Sequence, residues 1–399
     1  MFESQRLSEY RLILSLAANV VVSLVAGIAA AALGSADREP PVIEDCLKLT
    51  TYFGERHRIG QAFLADTQLE LFGRREIATS VLLRGAEGFG LKHHLRTDRL
   101  LTLSEDLPVV SVAVDTRPRI EALLDDLRAI EHRGLVTLES ARMLRGDIGP
   151  VQLPEDLHEA TKLTVYVGRQ ERVYRVPAFV AVCDLLHRRG IAGATVLLGV
   201  DGTAHGQRTR ARFFGGNADV PMMIIAVGSG DCIARVLPEL GGLLRQPLIT
   251  LERVRVCKRN SELIERPHAL PATDEHGMAV WQKLMVHTSE RALHNGQPVH
   301  RALIRRLRAS SARGATALRG MWGFHGEVAP HGDRLLQLGR RVPVVTIIID
   351  TPDRIATSFD IVDALTTEHG VVTSEMVPAL TATTDEQPRG DLRLARHAF

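Results

Sequence analysis

KLTTYFGER at residues 48–56 returns as KLTVYVGRQ at 162–170 and as KLMVHTSER at 283–291. Counted from Lys48, Lys162 and Lys283, a Gly-x-x-Gly begins 37 residues later each time, at Gly85, Gly199 and Gly320. A proline follows at offsets 60, 59 and 60 (Pro108, Pro221, Pro343), and an acidic residue at 91, 90 and 92 (Glu139, Glu252, Glu375). Three landmarks held in register over three copies identify one module written in tandem.

Each copy has the same local grammar. An alternating stretch such as LKLTTYF predicts a half-buried strand, and an amphipathic segment ending near Phe72, His187 or Leu307 predicts a helix. A second strand (TSVLLRG, ATVLLGV, ATALRG) runs into the glycines, and the β-branched run after the proline (VVSVAVD, MMIIAVG, VVTIIID) suits a central, buried strand. Asp115-Thr116-Arg117-Pro118 and Asp350-Thr351-Pro352 supply a cap and a proline for a second helix, and a strand such as GLVTLESARML closes the copy. The order β-α-β-β-α-β is the ferredoxin-like split unit, an α+β fold with helices on one face of an antiparallel sheet. The expected divisions are 1–40, modules at 44–145, 160–258 and 281–382, and a flexible tail at 383–399. A bare sheet face on each module needs a partner, and three copies in one chain can close a single-chain pseudo-trimer.

Ahead of the modules, Leu12 to Gly34 is a run of 23 residues without a charge, long enough to cross a membrane as a helix. A cleaved signal peptide is the rival reading, since AAALGSA offers small residues after an apolar stretch. Ser15, Asn19 and Ser23 lie four apart on one face of that helix. They suit packing against partner helices or, alternatively, a polar track along an ion path.

Composition narrows the function classes. The chain of 399 residues is 45% hydrophobic and 4% aromatic, with a formal charge of +2, which argues for an aliphatic core and against nucleic acid. Cys46, Cys183, Cys232 and Cys257 follow no metal or disulfide spacing. His93, His94, His205, His325 and His331 gather after the glycine loops, but solvated loop histidines are the ordinary reading, so no metal is expected. No nucleophile-base spacing is visible, and the chain is expected to be neither an enzyme nor a cofactor protein.

The most site-like segments are Arg84-Gly85-Ala86-Glu87-Gly88-Phe89-Gly90 and Arg319-Gly320-Met321-Trp322-Gly323-Phe324-His325-Gly326. Glycines let backbone N–H groups approach an anion, and an adjacent arginine adds a planar donor fork. A tight turn would explain the same glycines. The expected ligand residues are Arg84, Gly85, Gly88, Phe89, Gly90, Arg319, Gly320, Gly323, Phe324 and Gly326. Copy two departs, with Leu198 for the arginine, Thr203 for the phenylalanine, and Arg169-Gln170 where the others have Glu55-Arg56 and Glu290-Arg291.

GLVTLE, SEDLPVVSVAVD and VLLRGAEGFG together resemble the PII-like family of unknown function, related to the nitrogen-regulatory PII (GlnB-like) proteins, over all three copies. The resemblance implies ferredoxin-like subunits, a trimer, and small effectors in the clefts between subunits. EHRG (131–134), RQP (245–247) and TEHG (367–370) replace the long phosphate-gripping loop of true PII proteins, so ATP is not implied. FESQRLSEYRLILSLAANVVVSLVAGIAAAALG resembles the last transmembrane helix of the CrcB (Fluc) fluoride channels, through Glu3, Arg11, Asn19 and Val20. The expectation is a single-pass, membrane-tethered sensor with cytoplasmic modules. It would bind an anionic or nucleotide-like ligand at inter-repeat clefts and regulate a fluoride channel. The alternative is the C-terminal part of such a channel fused to PII-like modules.

Overall fold

A computed structural model describes residues 43–90, 93–97, 106–130, 134–204, 207–210, 220–310, 312–326, 328–332, 342–368, 370–384 and 387–396. In the first module β1 (Glu44–Gly54) leads to α1 (Leu64–Arg74), β2 (Thr79–Arg84), β3 (Glu87–Phe89), β4 (Pro108–Thr116), α2 (Arg117–Ala129) and β5 (Gly134–Arg145). The second repeats the order as β6 (Thr161–Gly168), α3 (Ala178–Arg188), β7 (Gly193–Leu198), β8 (Asp201–Ala204), β9 (Pro221–Gly228), α4 (Gly230–Leu243) and β10 (Leu248–Arg253). After β11 (Arg255–Arg259), the third runs β12 (Trp281–Ser289), α5 (Val299–Ala309), β13 (Ala315–Arg319), β14 (Trp322–His325), β15 (Pro343–Asp350), α6 (Pro352–Leu365) and β16 (Val371–Val377). A last hairpin joins β17 (Ala379–Thr384) to β18 (Gln387–Asp391).

Within each module the four main strands are antiparallel, and the first lies between the third and the last (β5-β1-β4-β2 in module one). Alternation divides each sheet. Leu47, Leu49 and Ala113 face Leu64, Phe72, Ile120 and Leu123 of the helices, and the other two modules build like cores of their own. The opposite faces do not meet water. Val81, Val112, Tyr166, Ile225, Met285 and Ile347, drawn from all three modules, form one further buried cluster. The bare sheet faces therefore cover one another.

Two sets of exchanged strands close this arrangement. β8 of module two pairs with β2 of module one, β14 of module three with β7 of module two, and β3 of module one with β13 of module three. At the other sheet edge, the end of β5 pairs with β10, β11 pairs with β16, and β17 pairs with β5. Each module thus gives a strand to a neighbour at both edges, and the third returns to the first. The modules form a ring with approximate threefold symmetry in one chain, and among the described residues no main sheet edge is left bare.

Two expectations are corrected. Of the tail expected at 383–399, the described residues 387–396 are no loose end: β18 completes the hairpin with β17, and Leu392 and Ala395 are buried. Thr116 and Thr351 stand at the N-termini of α2 and α6 but make no side-chain cap; Ser229, before α4, does. The buried Asp115 and Asp350 accept instead from the backbone N–H of Ala78 and Arg313, tying the strand ends together. Residues 1–42, with Ser15, Asn19 and Ser23, lie outside the described residues. No helix among the described residues is long and apolar enough to cross a membrane.

Candidate functional site

The first and last strands of each module place one lysine opposite one glutamate: Lys48 faces Glu139, Lys162 faces Glu252, and Lys283 faces Glu375. All six side chains are buried. Each ammonium also reaches the glutamate of the following module. Lys48 contacts Glu139 (2.8 Å) and Glu252; Lys162 contacts Glu252 (2.9 Å) and Glu375 (2.6 Å); Lys283 contacts Glu375 (3.0 Å) and Glu139. The result is a closed, alternating hexagon of charge where the modules meet.

Burial opposes every charge in it. The lysines nevertheless hold Glu139 and Glu252 below the ordinary carboxylate value. Burial also pulls the lysines down, but the carboxylates outweigh it at Lys48 and Lys283 and hold them above the usual value, whereas at Lys162 burial wins. The carboxylate oxygens of Glu139, Glu252 and Glu375 lie within 4.8 Å of one another, a spacing that could hold a cation. Three interleaved ammonium groups already balance them, so the site does the work of a lock rather than of a metal centre. The sequence marks all six residues by their constant spacing; what it does not show is that they converge.

The glycine loops have a different job from the one expected. Gly85 and Gly320 donate to the carbonyls of Pro108 and Pro343 (2.7 Å each), and Ala86 and Met321 donate to Ala317 and Val196 of the adjoining module. These N–H groups are thereby spent, one of each pair on its own module's sheet and the other on strand exchange. A Cβ on Gly88 would come 2.8 Å from the carbonyl oxygen of Ala315, and one on Gly323 (φ 151°) 2.1 Å from that of Ala194. These glycines let two modules' backbones close on each other. Gly90 and Gly326, where a Cβ would meet nothing within 4 Å, carry no such constraint of space.

Phe89 and Phe324 are buried plugs, not stacking platforms. Phe89 sits opposite Ala315 and enters the core of module three; Phe324 sits opposite Ala194 and meets His187 of module two edge-on at 5.0 Å. At the third junction Thr203 lies opposite Ser80, with their hydroxyls 2.9 Å apart, so a polar pair replaces plug and socket. Arg84 pairs with Glu55 at 2.9 Å and Arg319 with Glu290 at 3.0 Å. Copy two lost both members of this pair together, which the sequence displays as Arg169 and Leu198.

One inter-module cleft holds a cavity of about 20 Å³, lined by Gly193, Thr195, Ile225–Val227 of module two and His287, His325 and Val371 of module three. That is room for one water-sized species. His287 is buried and its Nε2 has no hydrogen-bond partner among the described residues. Burial, helped by His325 and Lys162, pushes its pKa down to about 3, so the imidazole is neutral. Its counterparts four residues after Lys48 and Lys162 are Tyr52 and Tyr166, which makes this cleft chemically unlike the other two. His325 Nε2 lies 3.1 Å from the carbonyl of Thr288. His93 and His94 remain on a loop, His331 lies opposite Gly323 in a short strand pair, and His205 lies outside the described residues.

The DUF190 family, described as Uncharacterized ACR, COG1993, matches residues 46–143, 160–256 and 281–379. These matches cover most of the chain, which belongs to that PII-like family as three tandem copies. The chain is also similar to a UPF0166 protein of Aquifex aeolicus (strain VF5), 29% identical over 76 residues, spanning 19% of this chain and 71% of that protein.

Proposed function

We propose that this three-copy member of the DUF190 family is a regulatory binding protein rather than an enzyme, taking a small anionic or nucleotide-like ligand in a cleft between modules. The observation that carries the reading is the cavity between modules two and three, where the buried His287 presents an unpaired Nε2. An orphaned polar atom in a cavity costs free energy that a bound partner recovers. A monatomic anion or a water fits the cavity as it stands, while a nucleotide needs the exchanged strand Trp322–His325 to part from Gly193–Val196. Closure by strand exchange gives such a ligand a mechanical output, because parting one junction loosens a ring that all three modules share.

The uncharged run at 12–34 supports tethering of this ring to a membrane, and its likeness to the last helix of a fluoride channel supports such a channel as the regulated partner. The test is a thermal-shift series on the full chain with adenine nucleotides, inorganic phosphate and fluoride, with chloride as control. Binding at a hundred times Kd adds about 2.7 kcal/mol of apparent stability. The reading expects a shift with one of these probes that His287→Leu abolishes and Arg84→Ala leaves in place. No shift with any probe, or a shift indifferent to His287, overturns it.

A further inference from the structure

Each module carries a short hairpin between its first strand and first helix: Arg58–Ile59 with Ala62–Phe63, Arg172–Val173 with Val176–Pro177, and Leu293–His294 with Gln297–Pro298. All three begin just beyond the strands that bear the central lysines. Rotation about the ring axis therefore sets the three hairpins at one height, at the same end of the ring. Ile59 and Val173 anchor the first two hairpins on the cores of their modules, none of the three lines the cleft, and each presents a further apolar side chain to solvent: Phe63, Tyr174 with Val176, and Leu293. Tyr174 is 94% exposed.

The turn of the second hairpin is costly. Modules one and three place Gly60 (φ 59°) or Asn295-Gly296 (φ 50° and 75°) at the left-handed positions, residues that accept them readily. Module two places Tyr174 (φ 52°) and Arg175 (φ 95°) there, a conformation that opposes bulky side chains. A folded core gains nothing from this choice, since the tyrosine touches almost nothing. Its charge is reversed as well. Arg169 stands where Glu55 and Glu290 neutralise an arginine in the other modules, and Leu198 stands where that arginine would be. Arg169, Arg172 and Arg175 are exposed around the tyrosine, and no ion pair among the described residues reaches any of the three. Arg58 lies over the Phe63 ring at 4.1 Å in the first hairpin, with the exposed Arg56 two residues before it, and Arg291 precedes the third.

We propose that this end of the ring docks on an anionic lipid surface, with the Tyr174 hairpin as its principal contact and the Phe63 and Leu293 hairpins as lesser ones. An aromatic with a polar tip suits the bilayer interface, and guanidinium groups beside it are drawn to acidic headgroups. Apolar tips on all three hairpins favour a lipid surface over an acidic protein, which would need the charge but not the repeated exposed side chains. Three contacts at one height engage a flat surface together and multiply one another's effect. The surface is distinct from the His287 cleft, and the inference stands whether or not that cleft takes a ligand.

Because residues 12–34 can hold the full chain to vesicles by themselves, the test reads the hairpin locally. An environment-sensitive fluorophore is attached at Tyr174→Cys in a Cys232→Ser full-length chain and titrated with phosphatidylcholine vesicles with or without 30% phosphatidylserine. The expected result is a blue shift with the anionic vesicles only, suppressed by 0.5 M NaCl, where screening is strong. Arg169→Glu with Arg172→Glu should weaken the apparent partition by well over tenfold, since each basic residue at such a surface is worth about fivefold. A probe that stays in water on anionic vesicles overturns the proposal. So does a shift produced equally by neutral vesicles, or one produced by a free poly-glutamate peptide and not by lipid.

Discussion

At the scale of single residues, the hexagon of Lys48, Glu139, Lys283, Glu375, Lys162 and Glu252 sets the strictest demand in the molecule. Buried ion pairs seldom add stability over apolar residues of like volume, but removing one member leaves an uncompensated charge. Lys162→Met should therefore cost about 3–5 kcal/mol in urea unfolding. Adding Glu375→Leu to it, which restores neutrality, should recover a large part of that loss. If the double variant is as damaged as the single one, the ring is not acting through charge balance. His287 predicts an acid limit. Its pKa falls from 6.5 in the unfolded chain to about 3 in the folded one, so the unfolded chain takes up the proton first. Its contribution to stability is whole above pH 6.5 and drains away as pH falls toward 3. In His287→Leu, the decline between pH 6.5 and 4.5 should flatten to the part that His268, also depressed by burial, leaves, before the depressed carboxylates of the ring are lost at lower pH. Unfolding midpoints measured across that range check it, and an unchanged slope would remove His287 as the cause.

At the scale of elements, strand exchange explains why the glycine motif is where it is. Phe89 belongs by sequence to module one and by packing to module three, so Phe89→Ala should cost about 3–5 kcal/mol. The first loss of hydrogen-exchange protection should fall in Val299–Ala309 rather than in Leu64–Arg74. Gly323→Ala should be among the most damaging glycine substitutions, because its Cβ would sit 2.1 Å from a carbonyl oxygen at φ 151°, while Gly90→Ala should fold as the parent does. Equal tolerance at both positions would mean that the exchanged strand is not seated as described. Sequence pattern carried the repeated elements well, since their periodicities are local properties of the chain. It could not distinguish a phenylalanine that stacks on a ligand from one that plugs a socket 226 residues away, between Phe89 and Ala315. The hairpin of β17 and β18 escaped for a related reason: Ala379–Thr384 pairs with the closing strand of the first module, and a strand that borrows its partner from so far along the chain need not announce itself locally.

At the scale of the whole molecule, three homologous modules have become unequal while keeping one closed frame. Lysine and glutamate spacing, visible in the sequence, is retained in every copy because the hexagon needs all six. Plug and socket have diverged, with phenylalanine against alanine at two junctions and threonine against serine at the third. The clefts diverge too, Tyr52 and Tyr166 against His287. A trimer of identical chains could not differentiate its three interfaces, whereas a single chain can assign one to a ligand and leave the others to hold the frame.

Closure of the ring within one chain is the central claim, and paired cysteines test it directly. Directly opposed residues of antiparallel strands lie about 4.5–5.5 Å apart at Cα, within the span of a disulfide. The pairs Ser80→Cys with Thr203→Cys, Ala194→Cys with Phe324→Cys, and Ala315→Cys with Phe89→Cys each bridge one junction. On mild oxidation, all three should give an internal disulfide in a chain of unchanged mass, identified by peptide mapping. Linkage between separate chains, or failure of any junction to cross-link in an otherwise folded protein, would contradict the ring.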